Sequence, residues 1–193
     1  MTLAPWRSAL SHALHRNRSL VYARYLQLAT VRPNGQPANR TVVFRGFLDG
    51  TNQLQFVTDA RSAKVEQIAH HNQAEVCWYF PKTREQFRIA GLLTLISAEH
   101  PQAELASVRR SVWAELSEGS RLQFAWPDPG KPRGTPADFA PPPPSAEQPL
   151  ENFCLLLLDP SSVDHLELRG EPQNRWLYSS DDNNNWVVQA VNP

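Results

Sequence analysis

The chain lacks any apolar run long enough to cross a bilayer. Its longest strictly apolar stretch, Phe153 to Leu158, has six residues, where a spanning helix needs about 20. The N-terminus also has no apolar signal-peptide region, so a cytoplasmic address and no membrane partner are expected. Cysteine is nearly absent. Cys77 and Cys154 each sit in an apolar run without CxxC or histidine spacing, which argues against a zinc site or a secreted disulfide framework and reads as two buried thiols. Net charge is missing too: 19 basic and 19 acidic side chains cancel. No overall field draws in nucleic acid, and an anion site has to come from locally clustered cations. What is present is a globular composition, 41% hydrophobic and 20% charged over 193 residues, expected to form a single domain over 1–193.

Trp6, Ala9, Leu10, Ala13 and Leu14 recur at helical spacing after Pro5, giving an opening helix over 5–16. Leu26, Leu28 and Thr41 to Phe44 flank Arg32-Pro-Asn-Gly-Gln-Pro37, a strong hairpin signal. A second turn at Asp49-Gly50 leads to Gln53–Thr58, so three strands are expected to follow one another as a meander. Val65, Ile68 and Ala69 then mark a short helix ending near His70, and Glu75–Phe80 and Gln86–Ser97 read as strands around Pro81-Lys-Thr83. A helix is expected over roughly 101–116. Between Pro127 and Pro149 nine of 23 residues are proline, which excludes ordinary helix or central strand and leaves a long loop. The last third reads as Phe153–Leu158, Val163–Leu168, Trp176–Ser179 and Trp186–Val191, the last two around a turn at 181–185. Seven or more short strands with few helices predict a mainly β fold, a small closed antiparallel barrel. Such a barrel has little internal room, so a large cofactor belongs in a groove or between subunits. The six tryptophans read mostly as core or interface filler.

Two constellations carry chemistry. Along Asn39-Arg-Thr-Val-Val-Phe-Arg45, strand alternation puts Arg40 and Arg45 on opposite faces unless a bulge intervenes. An arginine in an apolar strand suits a bidentate phosphate, and two solvated rim arginines are the plainer alternative. Phe56-Val-Thr-Asp-Ala-Arg-Ser-Ala-Lys64 runs from a strand end into a helix start, where Thr58, Arg61, Ser62, Lys64 and free backbone N–H groups make an anion cradle. The alternative is a capped helix with a solvated lysine.

These segments, with Gln86 ahead of Phe87-Arg-Ile-Ala-Gly91 and Arg175-Trp-Leu-Tyr178, resemble in order and spacing the pyridoxamine 5'-phosphate oxidase family over roughly residues 20–193. The Trp126-Pro-Asp-Pro-Gly130 segment resembles its subgroup with an Alr-type FMN-binding domain. The resemblance implies an FMN-binding split barrel, a homodimer with a flavin at each subunit interface, and oxidoreductase chemistry supplied by the flavin. It implies that Arg40 and Lys64 hold the FMN phosphate, with Thr41, Val42, Val57, Thr58 and Ser62 alongside. Gln86 addresses the flavin ring, Ser120 and Arg175 reach the cofactor from elsewhere in the dimer, and Arg45 stands where the family grips the substrate phosphate.

Departures concern substrate more than cofactor. Ala63 replaces an arginine after Ser62, for which Arg61 is the expected substitute. Glu171 and Gln173 replace the Arg-x-His pair that binds pyridoxal phosphate. Arg109 and Arg110 fall out of register with the family's helix, and a flavin-ring tryptophan near His165 or Leu166 is missing. Three readings stay open: an FMN-dependent oxidoreductase (a true pyridoxamine 5'-phosphate oxidase among them), a non-catalytic FMN carrier or sensor, and a barrel that binds only a protein partner. No metal is expected, since adjacent His70 and His71 diverge on a helix. Asp164-His165 beside Ser161 and Ser162 lacks a nucleophile turn for hydrolase chemistry.

Overall fold

The computed structural model describes residues 3–181, 183 and 185–193. Nine strands form one antiparallel sheet: β1 (Tyr25–Val31), β2 (Pro37–Val43), β3 (Gly46–Phe47), β4 (Leu54–Asp59), β5 (Gln73–Phe80), β6 (Glu85–Ile96), β7 (Phe153–Glu167), β8 (Asn174–Ser180) and β9 (Trp186–Val191). The helices are α1 (Trp6–Asn17), α2 (Ala63–His70), α3 (Ala103–Glu115) and α4 (Glu118–Leu122). Sheet order is β2-β1-β5-β6-β7-β4-β3, with β8 added to β7 and β9 to β8. Past β2, the Arg45 N–H donates to the Gln55 carbonyl of β4 at 2.9 Å. That bond brings the two ends of the order together, and the sheet curls into a split barrel.

The hairpin at Arg32–Gln36 forms with Gly35 at φ +79°, a left-handed position that glycine takes without a Cβ penalty. The expected meander does not continue past it. β4 pairs with β3 and with β7, nearly 100 residues away, and never with β2. Two strands expected at 153–158 and 163–168 are instead one 15-residue strand, β7, which crosses Pro160 at a register shift: Ala90 pairs with Ser162 and Gly91 with Pro160, leaving Ser161 unpaired. A bulge of this kind accommodates a proline that a regular ladder would reject. The turn expected at 181–185 includes Asp182 and Asn184, which lie outside the described residues. No helix among the described residues is long and apolar enough to cross a membrane.

β7 explains the six-residue apolar run. Leu156 and Leu158 point into the barrel core with Leu28, Phe56, Trp78 and Phe87, while Phe153, Leu155 and Leu157 face a second core under α3 with Val112 and Trp113. A strand buried on both faces loses its polar alternation, and each leucine so buried contributes about 1.5–3 kcal/mol. Arg109, on α3, is buried and donates to the carbonyls of Phe153 (2.8 Å) and Leu150 (2.7 Å). It fastens the helix to the strand. Of the tryptophans, Trp6, Trp78 and Trp113 are fully buried, and Trp176 and Trp186 pack against the barrel core. Cys154 is buried, and burial pushes its thiol up to about 11. Cys77 departs from expectation in being only half-buried, on the outward face of β5.

Candidate functional site

A cavity of about 770 Å³ opens outside the barrel, between β2, β4, the start of α2 and the proline-rich segment. It gathers Arg40, Thr41, Val42, Arg45, Val57, Thr58, Arg61, Lys64 and Ser120 into one wall system. Arg40 and Arg45 border the same cavity despite the expected opposite faces, because β2 ends at Val43 and strand alternation no longer governs Arg45.

Arg40 is held entirely by neutral acceptors. Its Nη1 donates to the Leu28 carbonyl (3.1 Å) and Thr30 Oγ1 (2.6 Å), and its Nη2 to Gln67 Oε1 (2.9 Å), which also accepts from Thr30 (2.7 Å). Lys64 Nζ reaches Ser62 Oγ (2.7 Å) and Thr58 Oγ1 (2.9 Å). Ser62 also caps α2 by accepting from the Lys64 backbone N–H at 3.4 Å. The Arg45 guanidinium has no hydrogen-bond or carboxylate partner among the described residues, and its Nε is buried and unpartnered. Burial, with repulsion from neighbouring arginines, holds the Arg40, Arg45 and Lys64 cations below their ordinary pKa; Arg40 acts on Lys64, Arg32 on Arg40 and Arg24 on Arg45. Three partly desolvated cations without a carboxylate partner among the described residues are costly in isolation, a cost that a bound anion would offset.

Arg61 does something else. Its Nε and Nη2 clasp Asp59 (2.9 and 2.6 Å), and its remaining N–H groups reach Asp128 Oδ1 (2.9 Å) and the carbonyls of Trp126 and Phe124 (both 3.1 Å). Five donors are all a guanidinium has, so Arg61 has none left for a ligand. It anchors the proline-rich segment to β4 instead. Asn152 joins the anchor, donating to Asp59 Oδ2 (2.8 Å) and to the Phe124 carbonyl (2.9 Å).

Burial, the largest single influence, raises the Asp59 pKa, but the Arg61 and Asn152 hydrogen bonds and the Arg61 charge together bring it below the usual carboxylate range. A depressed folded pKa means stability that is present above the unfolded value of about 3.9 and is lost as pH falls through the folded one. Asp59→Asn is expected to release this anchor at neutral pH, at a cost of about 1.5–3 kcal/mol for the charged hydrogen bonds. Trypsin cleavage at Arg133–Gly134, followed over time, should accelerate in the variant at pH 7. Equal cleavage rates would show that the Asp59–Arg61 pair does not hold the segment.

Gln86 and Arg175 lie away from this cavity. Gln86 pairs with Leu166 and Leu166 with Arg175, so the three share a cross-strand row on the sheet's outward face. Arg175 grips Asp164 there with two bonds (3.0 and 2.7 Å). Exposed Tyr79 is in the same row, and exposed Leu177 two residues along β8. Sequence reasoning missed the far wall of the cavity, made by Trp126, Lys131, Arg133 and Phe139. The available signal was a pair of cations inside a proline- and glycine-rich run. It also missed Glu85, His165 and Glu167, whose ligand-type atoms lie within 4.8 Å of one another. His165 Nε2 is already 3.0 Å from Glu85, and its ring stacks on Phe87 at 4.0 Å.

Taken together, a split antiparallel barrel with a basic cavity of about 770 Å³ on its outside defines the class of FMN-binding split-barrel proteins. Residues 3–97 match the family model described as "Pyridoxamine 5'-phosphate oxidase, FMN-binding domain". A pyridoxine/pyridoxamine 5'-phosphate oxidase 2 of Arabidopsis thaliana is 39% identical, over 99% of this chain and 98% of the plant protein. The crystal structure of a pyridoxamine 5'-phosphate oxidase-related, FMN-binding protein of Nostoc punctiforme superposes with a TM-score of 0.97 at 65% identity, covering 100% of both chains. PhzG of Burkholderia lata, in complex with tetrahydrophenazine-1-carboxylic acid, shares the fold (TM-score 0.78, 16% identity, 100% of this chain and 98% of PhzG). The chain belongs to the pyridoxamine 5'-phosphate oxidase family, and its cofactor is FMN.

Proposed function

We propose that the protein is an FMN-dependent oxidoreductase that works as a homodimer in the cytoplasm. The observation that carries this reading is the set of three half-buried cations, Arg40, Arg45 and Lys64, bordering one cavity without a carboxylate partner among the described residues. Arg40 and Lys64 hold the FMN phosphate, with Thr58 and Ser62 orienting the lysine and Thr41, Val42 and Val57 forming the adjoining wall. Ser120 borders the same cavity within one chain. Gln86 and Arg175 are too far round the sheet to serve it and act on the site of a second copy. The exposed apolar residues beside them suit an interface of that kind.

When bound, FMN supplies the electron and hydride chemistry. The protein's part is to fix the phosphate, hold the ring between subunits and exclude water. Arg45 is the residue we assign to the substrate's anionic group. Glu171 and Gln173, the first of them a carboxylate, do not suit a phosphate clamp, and this favours as a second reading an FMN protein without vitamin-phosphate turnover. The visible spectrum of the purified protein after FMN addition and desalting is expected to show about one flavin per chain, with light scattering giving a dimer. Absence of retained flavin, or a monomer that retains it, would refute the cofactor or the dimer part respectively. Bleaching of the bound flavin by pyridoxamine 5'-phosphate without oxygen, and its recovery in air, separates the oxidase from the second reading.

A further inference from the structure

Glu85, His165 and Glu167 have no part in the cavity beside α2, and strand pairing brings them together elsewhere. Glu85 opens β6 and Glu167 ends β7 directly opposite it, while His165 faces Phe87 two residues further in. Phe87 and Val163, at alternate positions on the same strands, belong to the barrel core. Strand alternation therefore turns the three side chains inward at one end of the barrel, on the face opposite Gln86 and Arg175.

Like charges directly opposite on antiparallel strands destabilise the pairing. Among the described residues neither glutamate has a lysine or arginine within ion-pair distance; Arg16 acts on Glu85 only from beyond it. The one side-chain hydrogen bond to Glu167 comes from Asn174 Nδ2 at 3.3 Å. His165 is 2% exposed, its Nε2 lies 3.0 Å from Glu85 Oε2, and its Nδ1 is buried with no hydrogen-bond partner among the described residues. Phe87 stacks on the ring at 4.0 Å and Trp176 packs at 5.4 Å, so the imidazole cannot turn out to water. A buried imidazole with an unused nitrogen thus stands beside two carboxylates that lack a counter-charge.

One ring nitrogen and two carboxylate oxygens, all within 4.8 Å of one another, are a donor set for a divalent transition ion. Ligands about 2.0–2.2 Å from a tetrahedral zinc ion stand about 3.4 Å apart, which the two partly exposed glutamates can reach while the ring stays clamped. A neutral imidazole and two carboxylates bring the charge that a divalent ion cancels. Magnesium and calcium, which take oxygen ligands, are served less well by the imidazole.

We infer that Glu85, His165 and Glu167 bind a divalent transition-metal ion of the zinc class, in a structural site that fastens β6 to β7 at the end of the barrel. The inference is independent of the FMN assignment. Its rival is an imidazolium shared between two glutamates, with no ion.

The test uses the full-length FMN-loaded protein, dialysed against EDTA, freed of chelator and titrated with zinc chloride by calorimetry. Cobalt(II) is added in parallel, and its visible bands are read to the red of the flavin absorption. The parent should take up about one zinc per chain, melt at a temperature that rises with zinc concentration, and give the intense bands of a low-coordinate cobalt site. Glu85→Gln/Glu167→Gln should weaken zinc at least tenfold and remove both the bands and the zinc-dependent rise in melting temperature. His70→Ala/His71→Ala, at the adjacent exposed histidines, should change none of these. If the double glutamine variant does not fold, Glu167→Gln alone decides, since its side chain meets only Asn174. No zinc uptake by the parent, equal uptake by the glutamine variants, or uptake lost in the His70/His71 variant overturns the site. Displacement of zinc by an equal concentration of magnesium overturns the class of ion.

Discussion

Replacing Lys64 or Arg40 by alanine is expected to weaken FMN binding by about 1.5–3 kcal/mol each, roughly ten- to 150-fold in the dissociation constant, as a charged hydrogen bond to phosphate is lost. The two variants should part company in the protein without flavin. Lys64 is desolvated, repelled by Arg40 and bonded only to the hydroxyls of Thr58 and Ser62. A cation whose folded pKa is lowered opposes folding while it is charged, so Lys64→Ala should leave the thermal midpoint of the apoprotein unchanged or raise it. Arg40 instead completes a network with the Leu28 carbonyl, Thr30 and Gln67, both of these side chains being buried. Its removal leaves buried acceptors short of a donor, and the apoprotein should lose about 1–3 kcal/mol. Isothermal titration with FMN and thermal melts of the apoprotein give the two numbers independently. FMN affinity unchanged in both variants would remove the phosphate from this corner of the cavity.

What the sequence revealed and what it hid divide along physical lines. Local signals were legible: the proline-asparagine-glycine turn of the first hairpin, the Ser62 start of α2, the tight turn between β5 and β6. Each depends on residues a few positions apart. The pairing of β4 with β7 depends on the mutual fit of two apolar strands nearly 100 residues apart, and no spacing within either one records it. The cavity wall at Arg40, Thr58 and Lys64, which we propose holds the cofactor phosphate, was legible as a candidate because a strand end entering a helix is a local arrangement with a known donor geometry. Arg61 was read as a ligand because it stands among those donors. Its real partners, Asp128 and the carbonyls of Phe124 and Trp126, come from a segment more than 60 residues on. Lys131 and Arg133 were hidden for the same reason: a proline-rich run announces that it is not a helix, but not which surface it lies against.

The sequence reading broke β7 in two at Asp159-Pro-Ser-Ser162, and the residue that lets it run through is on the neighbouring strand. Gly91 sits at the register shift, and a Cβ built on it would lie 2.0 Å from the Asp159 carbonyl oxygen, 2.8 Å from the Asp159 carbonyl carbon and 2.9 Å from the Pro160 Cα. All three atoms are backbone, so no side chain can turn away, and two central strands have to separate. Gly91→Ala is therefore expected at or beyond the upper end of overpacking costs, about 3 kcal/mol. For a chain of this size that is a fall of about 6–12 °C in thermal midpoint. Leu92→Ala, at a half-exposed neighbour on the same strand, should shift it little. The effect should also reach function along a definite route. β7 beyond the bulge carries Asp164, which holds Arg175 on β8, and β6 carries Gln86. If those two residues serve the second copy's flavin, Gly91→Ala weakens FMN binding and dimerisation together although β2 and β4 are untouched. A midpoint within about 2 °C of the parent would mean that the strands tolerate the added carbon, and that the bulge is set by Pro160 and not by the space Gly91 leaves.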